Sequence, residues 1–494
     1  MLDISNNYNE EELLKALFSV QKFEYNANLG LYNNFSIEEI HLISNYYLNN
    51  NLILKALKIL NIGIEIHPFD IDLYIKKADI LIYDHKGSNK AEIVNILDKI
   101  EAYDPNDCRM YLLKAKYYQN MGMYEKALLV LNIALKLSVD KDIIYIDIAN
   151  IYFAADNYNK AIYYVKNALS YNINNEDAPI MLQEIYAKIN ATSEAKTFLE
   201  KFISDSNPYS FASWFALGYN YTCLNEHNKA LVCYDYALAI NSEYLEATLY
   251  KINSLIHLNK NNDALEILAS IDKYINVIDD YELALIANYY KMLDNIKKSR
   301  HYYRKLLSNN KNNASALFGM SLTYIDHDYK SALKYLKKAC NIDPDNTSYL
   351  LTLANTESEI GNIEDAQNIY SQLILKEPEN AEIWVEYLEF LYDKQNINKN
   401  IDKMLIIANK ALEYNKDSCK LFYILARLLF ISKKYVQAEY YLYKAVNIDN
   451  SYINIFLEKI SPRIMKDPEL SNVLAKMLKS ITDRSSKNNL SFNI

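Results

Sequence analysis

The chain has 494 residues and a net charge of −9, and 51% of its residues are apolar while only seven are glycine. This composition suits continuous helix and excludes both a disordered chain and a turn-rich all-β fold. Because acidic and basic residues are interspersed along the sequence, it predicts no cationic surface for nucleic acid or for an anionic membrane.

The cysteines and the N-terminal segment indicate a cellular compartment. Five cysteines are scattered along the chain without a C-x-x-C pair, which is typical of proteins in a reducing environment. The opening segment MLDISNNYNEEELL has neither a basic start nor an apolar run, so it does not predict a secretory leader. No stretch reaches the roughly 18 apolar residues that a membrane helix needs. We therefore expect a cytoplasmic protein without membrane insertion.

In chain order, a short N-terminal segment precedes a long array of similar units. Residues 1–36 contain an acidic run, Glu10 to Glu12, followed by leucines at helical spacing, and this pattern predicts a capping helix. From residue 37 to residue 452, a pattern of about 34 residues recurs about twelve times. The predicted units are 37–70, 71–107, 108–141, 142–175, 176–210, 211–244, 245–279, 280–313, 314–346, 347–380, 381–418 and 419–452.

Two units are longer than the others, and the chain continues past the last one. Extra residues fall near 84–90 and near 396–403, and the second insertion predicts a small break in the stack. Residues 453–481 carry two amphipathic segments, which predict C-terminal capping helices over the last apolar face. The polar segment 482–494 is predicted to be a disordered tail.

The unit at 211–244 shows the pattern most clearly. It contains W-x2-L-G-x2-Y beginning at Trp214, followed by A-x3-Y-x2-A beginning at Ala230. These motifs resemble the tetratricopeptide repeat (TPR), a helical hairpin whose small residues let two helices approach closely. The resemblance implies an all-α fold, a right-handed superhelical α-solenoid of TPR hairpins with short capping helices. It also implies that the first helices line a concave groove in which proteins bind.

The sequence carries no pattern for catalysis. The segments outside the repeats are too short to bury the core of an enzyme domain. The seven histidines do not pair with carboxylates or cysteines at metal-ligand spacing, and no Gly-rich phosphate loop or G-x-S-x-G motif is present. We therefore predict a non-enzymatic protein with no catalytic residues, no cofactor and no metal.

Asparagine recurs at one position that the resemblance places in the groove. The ninth position is asparagine in five units, at Asn45, Asn150, Asn253, Asn288 and Asn355. An amide both donates to and accepts from a peptide backbone, so such a row suits the binding of an extended peptide. The alternative is chance, because asparagine is abundant in this chain.

Aromatic residues occupy other positions of the predicted groove. Phe215, Tyr219, Tyr250 and Phe318 fall in the fifth, sixth or ninth positions of their units. A bare apolar surface commonly marks an interaction site, so these residues predict that an apolar segment of a partner binds as an extended strand or an amphipathic helix. The alternative is that the adjacent repeat covers many of these side chains.

The eleventh unit differs because its predicted groove side is acidic. Glu382, Glu386, Glu389 and Asp393 are spaced along one helical face, which suggests a patch for a basic segment. The alternative is a solvated charged face that Lys420 and Arg427 in the next unit neutralise.

One branch of the resembled family grips the acidic C-terminus of heat-shock chaperones with lysines and asparagines. That clamp needs a lysine four residues before the asparagine, where this chain has His41 and Ile146. A chaperone C-terminus is therefore not expected as a partner.

Two functions follow from these observations. The first is a non-enzymatic scaffold or adaptor that binds protein segments in the groove. The alternative is a regulatory or substrate-targeting subunit of a separately encoded enzyme, or of an envelope or secretion machine.

Overall fold

The computed structural model describes residues 10–29, 35–50, 52–83, 90–271, 278–325, 327–394, 397–464 and 468–486. All regular secondary structure in these ranges is α-helical and forms twenty-seven helices. The all-α prediction is confirmed. The chain divides into two compact units, Met1–Asn259 and Lys260–Ile494, which are called the N-terminal and the C-terminal unit below.

Each unit is a succession of helices joined by short turns. The N-terminal unit contains α1 (Glu10–Leu29), α2 (Ile37–Asn49), α3 (Ile53–Ile66), α4 (Ile71–Tyr83), α5 (Lys90–Tyr103), α6 (Cys108–Asn120), α7 (Tyr124–Leu137), α8 (Lys141–Ala154), α9 (Tyr158–Tyr171), α10 (Asp177–Lys188), α11 (Thr192–Asp205), α12 (Phe211–Cys223), α13 (His227–Ile240) and α14 (Leu245–His257). The C-terminal unit contains α15 (Asn261–Ile271), α16 (Asp280–Met292), α17 (Ile296–Asn309), α18 (Ala314–Leu322), α19 (Tyr329–Ile342), α20 (Thr347–Ile360), α21 (Ile363–Lys376), α22 (Ala381–Lys394), α23 (Ile397–Tyr414), α24 (Cys419–Ile431), α25 (Tyr435–Ile448), α26 (Ile453–Ile464) and α27 (Pro468–Ser486).

Within each unit the helices pair as hairpins in chain order, from α2–α3 to α12–α13 and from α16–α17 to α24–α25. By their place in the repeats, the even-numbered helices α2 to α24 are called first helices, and the odd-numbered helices α3 to α25 are called second helices. Within a unit, a first helix packs on its own second helix, as α8 does on α9 and α24 on α25. It also packs on the next first helix, as α22 does on α24. Each hairpin therefore buries its apolar surface mainly against its neighbours.

Small residues permit the close approach of the two helices in a hairpin. Ala230 and Ala237 on α13 are completely buried. A Cβ atom on Gly218 would lie only 2.6 Å from Cε1 of Tyr234, and Tyr234 is itself fully buried. The glycine is therefore needed for the tyrosine ring to pack against the backbone of α12.

In four first helices, an aromatic side chain forms a hydrogen bond with the turn that precedes the helix. In each case a tyrosine hydroxyl or an indole N–H donates to the carbonyl oxygen of a proline six residues earlier. The bonds join Tyr74 to Pro68 (3.1 Å), Tyr111 to Pro105 (3.0 Å), Trp214 to Pro208 (2.9 Å) and Trp384 to Pro378 (2.8 Å). These bonds satisfy a turn carbonyl and fix the direction in which each new repeat starts.

A left-handed residue follows eight of the described first helices. Its φ lies between 55° and 96°, a conformation that glycine adopts freely and that asparagine and aspartate tolerate. The residues are Gly122, Asp156, Asn190, Asn225, Asn259, Asp294, Gly361 and Lys433. Lys433 is the exception, because it has neither the freedom of glycine nor a short polar side chain.

Replacing Lys433 by glycine is expected to stabilise the protein. The relief of left-handed strain exceeds the extra entropy of an unfolded glycine, so the free energy of unfolding should rise by about 0.5–1 kcal/mol. Urea denaturation followed by circular dichroism measures the change. The matched control is Lys434→Gly, because Lys434 has an ordinary φ of −90°. An equal gain in both variants would contradict the explanation.

The insertion near 396–403 lengthens a helix instead of interrupting the stack. Helix α23 has 18 residues, and it packs on both α22 and α24. One hydrophobic core continues from Ala354 through these helices to Ile481. The prediction of a break at this point is wrong, because helical residues were added to the second helix. The other insertion, at 84–89, lies outside the described residues.

Helices also occupy both terminal segments. In the N-terminal segment, α1 packs on α2, and Phe23 contacts Tyr47 with ring centroids 6.5 Å apart. At the other end, α26 packs on α24 and α27 packs on α25. Helix α27 continues to Ser486, five residues into the segment predicted to be disordered. Residues 487–494 lie outside the described residues.

Candidate binding face on the first helices

Within each unit, the first helices carry the positions that the sequence predicts for partner binding. We call the surface formed by the second, fifth, sixth, ninth, twelfth and thirteenth positions of the repeats the inner face.

Two of the five predicted asparagines are already hydrogen-bonded within the chain. Asn45 Oδ1 accepts from Nζ of Lys76 at 2.5 Å, and burial lowers the pKa of Lys76 to about 8. Asn355 accepts from the hydroxyl of Tyr370 and donates to Oε2 of Glu386 at 3.4 Å. A ligand would have to compete with these bonds for both amides.

The other three asparagines retain their amide groups for a partner. Asn150 is exposed, and Asn253 and Asn288 are half-buried. Within the described part of the chain, their side chains make no hydrogen bond. Asn150 and Asn253 belong to the N-terminal unit and Asn288 to the C-terminal unit. Because Asn150 and Asn253 stand in non-adjacent repeats, they do not form a continuous ladder.

The predicted aromatic residues of the N-terminal unit form a layered cluster. Phe215 is only 1% exposed, and its ring lies 5.1 Å from that of Tyr244 and 5.6 Å from that of Tyr250. Tyr219 and Tyr250 are half-buried above it, with their ring centroids 5.4 Å apart. Phe215 is therefore not available to a partner, because the next repeat covers it. It supports the two tyrosines that do reach the surface.

Phe318 occupies a comparable place in the C-terminal unit. It is half-buried, and its ring centroid lies 4.6 Å from that of Tyr349 on the next first helix. Adjacent repeats thus share aromatic contacts on the inner face, and part of each ring remains accessible.

The predicted acidic patch of the eleventh repeat is partly neutralised. Glu389 Oε1 accepts from Nη2 of Arg427 at 2.7 Å, and Asp393 Oδ2 lies 2.9 Å from Nζ of Lys459. Glu382 is exposed, and Glu386 interacts with the amide of Asn355, as described above. The docking of a basic segment stays a prediction, and it now depends mainly on Glu382 and Glu386.

A cavity of about 290 Å³ lies beside this patch, between α22, α24 and α26. Its lining includes Glu389 from α22, Arg427 from α24, and Phe456 and Lys459 from α26. Sequence reasoning missed this cavity because α26 lies outside the repeats and has no place in their pattern. The available signal was Arg427, a single charged residue in the apolar run LFYILARLLF.

Two carboxyl groups on the inner face of the N-terminal unit titrate abnormally. Burial raises the pKa of Asp147 on α8 to about 6, although nearby Lys116 acts in the opposite direction. Burial also raises the pKa of Glu184 on α10, and the charge of Glu246 adds to the effect. Ionisation of both groups is therefore opposed by their surroundings.

The high pKa of Asp147 predicts a pH-dependent stability. Its pKa of about 6 in the folded protein exceeds the ordinary aspartate value of 3.8, so its contribution to stability is fully present below pH ~4 and is lost as the pH rises through ~6. Between these limits we expect a loss on the order of 1–2 kcal/mol that Asp147→Asn abolishes. Urea denaturation of both proteins across this pH range measures it. A constant stability difference between them would contradict the assignment.

Two features are absent from the described residues. None of their helices combines the length and apolarity needed to cross a bilayer. No group of three or more histidine, cysteine, aspartate or glutamate side chains among them is placed to hold a metal ion.

Comparisons with known proteins agree with the helical-hairpin pattern. A family model described as tetratricopeptide repeat matches residues 324–388. The TPR repeat-containing protein MJ1428 of Methanocaldococcus jannaschii is 24% identical over 375 residues, which cover 72% of this chain and 60% of that protein. The match thus spans less than two thirds of that relative.

Solved structures with some likeness to this chain have low similarity scores. A tetratricopeptide repeat protein from Parabacteroides merdae has a TM-score of 0.37 and 15% identity, covering 58% of this chain and 97% of its own. A human IFIT1 dimer with PPP-AAAA has a TM-score of 0.42 and 14% identity, covering 77% of this chain and 99% of its own.

The likeness to tetratricopeptide repeats rests on the repeated motifs, the hairpins they form and the sequence matches. The W-x2-L-G-x2-Y and A-x3-Y-x2-A motifs form α12 and α13, which pack as one hairpin. The family model matches a region that contains the complete α20–α21 hairpin. Residues 324–388 therefore match the tetratricopeptide-repeat family, and the chain as a whole is similar to a tetratricopeptide-repeat protein.

Proposed function

We propose that this protein is a non-enzymatic scaffold or adaptor that binds an extended segment of a partner protein on the inner face of its N-terminal unit. Tetratricopeptide-repeat proteins generally mediate protein–protein interactions, and the family is typically non-enzymatic. The observation that carries the proposal is the half-buried pair Tyr219 and Tyr250, with the amide of Asn253 one helical turn beyond Tyr250.

The tyrosine pair has the properties of an interaction hot spot. Tyrosine offers a large amphipathic surface and loses little conformational entropy on binding. Phe215 packs against Tyr250 and also contacts Tyr244, so the pair rests on a fixed ring before a partner arrives. An apolar side chain of the partner would lie on these rings.

The adjacent amide supplies the polar contact. Residues three apart on a helix are neighbours on its surface, so Asn253 lies beside Tyr250. Its amide makes no hydrogen bond within the described residues, and it can both donate to and accept from one peptide unit of an extended chain. An apolar anchor with a polar contact next to it binds a segment in one orientation.

The test compares two triple variants in affinity capture, followed by titration of the purified partner. Tyr219→Ala/Tyr250→Ala/Asn253→Ala removes the anchor and the amide and should weaken binding at least tenfold, about 1.4 kcal/mol. The matched control carries three similar substitutions on second helices and turns, at exposed positions. These are Tyr163→Ala, Tyr209→Ala and Asn159→Ala.

The control variant should bind the partner as the unchanged protein does. Circular dichroism should show equal helicity for all three proteins. Retention of the same partner by the first variant, or equal loss from both, would contradict the proposal. Phe215 is left unchanged in this experiment, because its buried ring would confound binding with stability.

The cysteines support cytoplasmic action as part of this proposal. All five are free thiols, and burial raises the pKa of Cys233 to about 12, which makes its reactive thiolate form rare. Free cysteines are typical of proteins in a reducing compartment. Fractionation of native cells should recover the protein with the cytosol, and recovery with the envelope would contradict this part of the proposal.

A further inference from the structure

The cavity between α22, α24 and α26 differs from the rest of the inner face because a buried cation lines it. Arg427 is only 2% exposed, and arginine is rarely buried unless it is paired. Its guanidinium lies 4.1 Å from the ring centroid of Tyr392, and its Nη2 donates to Glu389 at 2.7 Å. Arg427 is therefore held in a defined position at the wall of the cavity.

The guanidinium retains a hydrogen-bond donor that nothing satisfies. Nε of Arg427 is buried and has no acceptor among the described residues. A buried N–H without an acceptor costs free energy, and the cost is larger when the group is charged. Arg427 lines the cavity, so a ligand oxygen toward which its side chain turns would remove this cost.

The charges around the cavity favour an anion. Lys420, Arg427 and Lys459 line it together with a single carboxylate, Glu389. Lys459 also pairs with Asp393 nearby, at 2.9 Å, so the three cations outnumber the carboxylates by one. Lys420 lies 5.5 Å from the ring centroid of Tyr452. Its ammonium group can therefore balance the charge of a ligand bound to Arg427.

The remaining walls are apolar. Tyr423, Ile424 and Phe456 line the cavity, and all three are buried. The volume of about 290 Å³ is near the lower end of small-molecule sites. An inorganic anion would leave these walls without contact, whereas a neutral apolar molecule would leave Nε of Arg427 without an acceptor.

We propose that the cavity between α22, α24 and α26 binds a small organic carboxylate with an apolar body. One carboxylate oxygen accepts from Nε of Arg427, Lys420 balances the charge, and the body packs on Tyr423, Ile424 and Phe456. The site is independent of the protein-binding function proposed for the N-terminal unit, since it uses other residues in the other unit.

Isothermal titration of the full chain tests the proposal with three probes. Phenylacetate has both a carboxylate and an apolar body, phenylacetamide has the same body without the charge, and inorganic phosphate has the charge without the body. We expect saturable binding of phenylacetate, at least tenfold weaker binding of phenylacetamide, and no competition by phosphate. Equal binding of phenylacetate and its amide, or displacement of phenylacetate by phosphate, would overturn the proposal.

Substitutions at the lining residues test whether phenylacetate binds in this cavity. Lys420→Met should weaken phenylacetate binding at least tenfold, whereas the matched control Lys416→Met, at an exposed residue in the preceding turn, should leave it unchanged. The double variant Arg427→Met/Glu389→Gln removes both members of the ion pair and should abolish binding, while its circular dichroism should match that of the unchanged protein. Absence of saturable phenylacetate binding to the unchanged protein, or its persistence in the double variant, would overturn the proposal.

Discussion

Replacing Phe215 by alanine is expected to lower the free energy of unfolding by about 3–5 kcal/mol. The ring is 1% exposed and contacts Tyr234, Tyr244 and Tyr250, with centroids 5.1–6.1 Å apart. Its removal leaves a cavity between α12 and α14 that these large rings cannot fill. Chemical denaturation followed by circular dichroism measures the loss.

A second substitution separates the loss of packing from the loss of surface. Tyr219→Ala removes a half-buried ring of the same cluster, so its cost should be below half that of Phe215→Ala. Partner binding should show the opposite order: relative to the free energy of unfolding that each variant loses, Tyr219→Ala should weaken binding more than Phe215→Ala. The reason is that the side chain of Tyr219 reaches the inner face. If Tyr219→Ala lowered the free energy of unfolding more than Phe215→Ala, Tyr219 and not Phe215 would be the buried ring of the cluster, which would contradict this assignment.

Replacing Arg427 by methionine is expected to destabilise the C-terminal unit by about 3 kcal/mol. Arg427 is 2% exposed and forms the 2.7 Å ion pair with Glu389. The substitution leaves the carboxylate with Lys459 alone, at 3.5 Å. The urea midpoint of unfolding and the hydrogen exchange of α24 report the change.

The double variant with Glu389→Gln should recover at least half of this loss. A neutral amide tolerates the absence of the guanidinium, since most of the cost comes from an unpaired buried charge. Lys444→Met is the control for the loss of one cation. Lys444 is exposed and lies 4.8 Å from the ring centroid of Tyr440, and its replacement should change stability by less than about 0.5 kcal/mol. Equal destabilisation by the single and double variants would contradict the ion-pair explanation.

The sequence alone determined the hairpin and its repetition. Apolar and small residues recur along α12 and α13 at helical spacing, and each hairpin contacts mainly its neighbours, so the fold follows from local rules applied many times. The conformations of the turns also follow from local sequence. Asn225 adopts a left-handed conformation that its residue type tolerates. Sequence could therefore predict the all-α fold and the absence of strand patterns.

The candidate site could be predicted only in part from the sequence, as Phe215 illustrates. The position of a residue within a repeat predicts whether its side chain points away from the second helix. It does not predict how much of that side chain the next repeat covers. Phe215 and Tyr250 occupy closely related positions, yet Phe215 is buried and Tyr250 is half-buried. The difference depends on the size of Tyr244 and of the neighbouring rings, which fill the space above Phe215.

Only the tertiary structure decided where residues from distant segments meet. Glu389, Arg427 and Lys459 come from three helices, and Lys459 belongs to α26, outside the repeats. Periodicity describes neighbours along a helix, whereas the charge of this cavity depends on contacts between helices. The sequence by itself determined that each unit of this protein is built of helical hairpins, because each hairpin is specified by its own residues and those of its neighbours. The tertiary structure decided which surfaces stay open and which charges are paired, because both depend on side-chain packing between repeats.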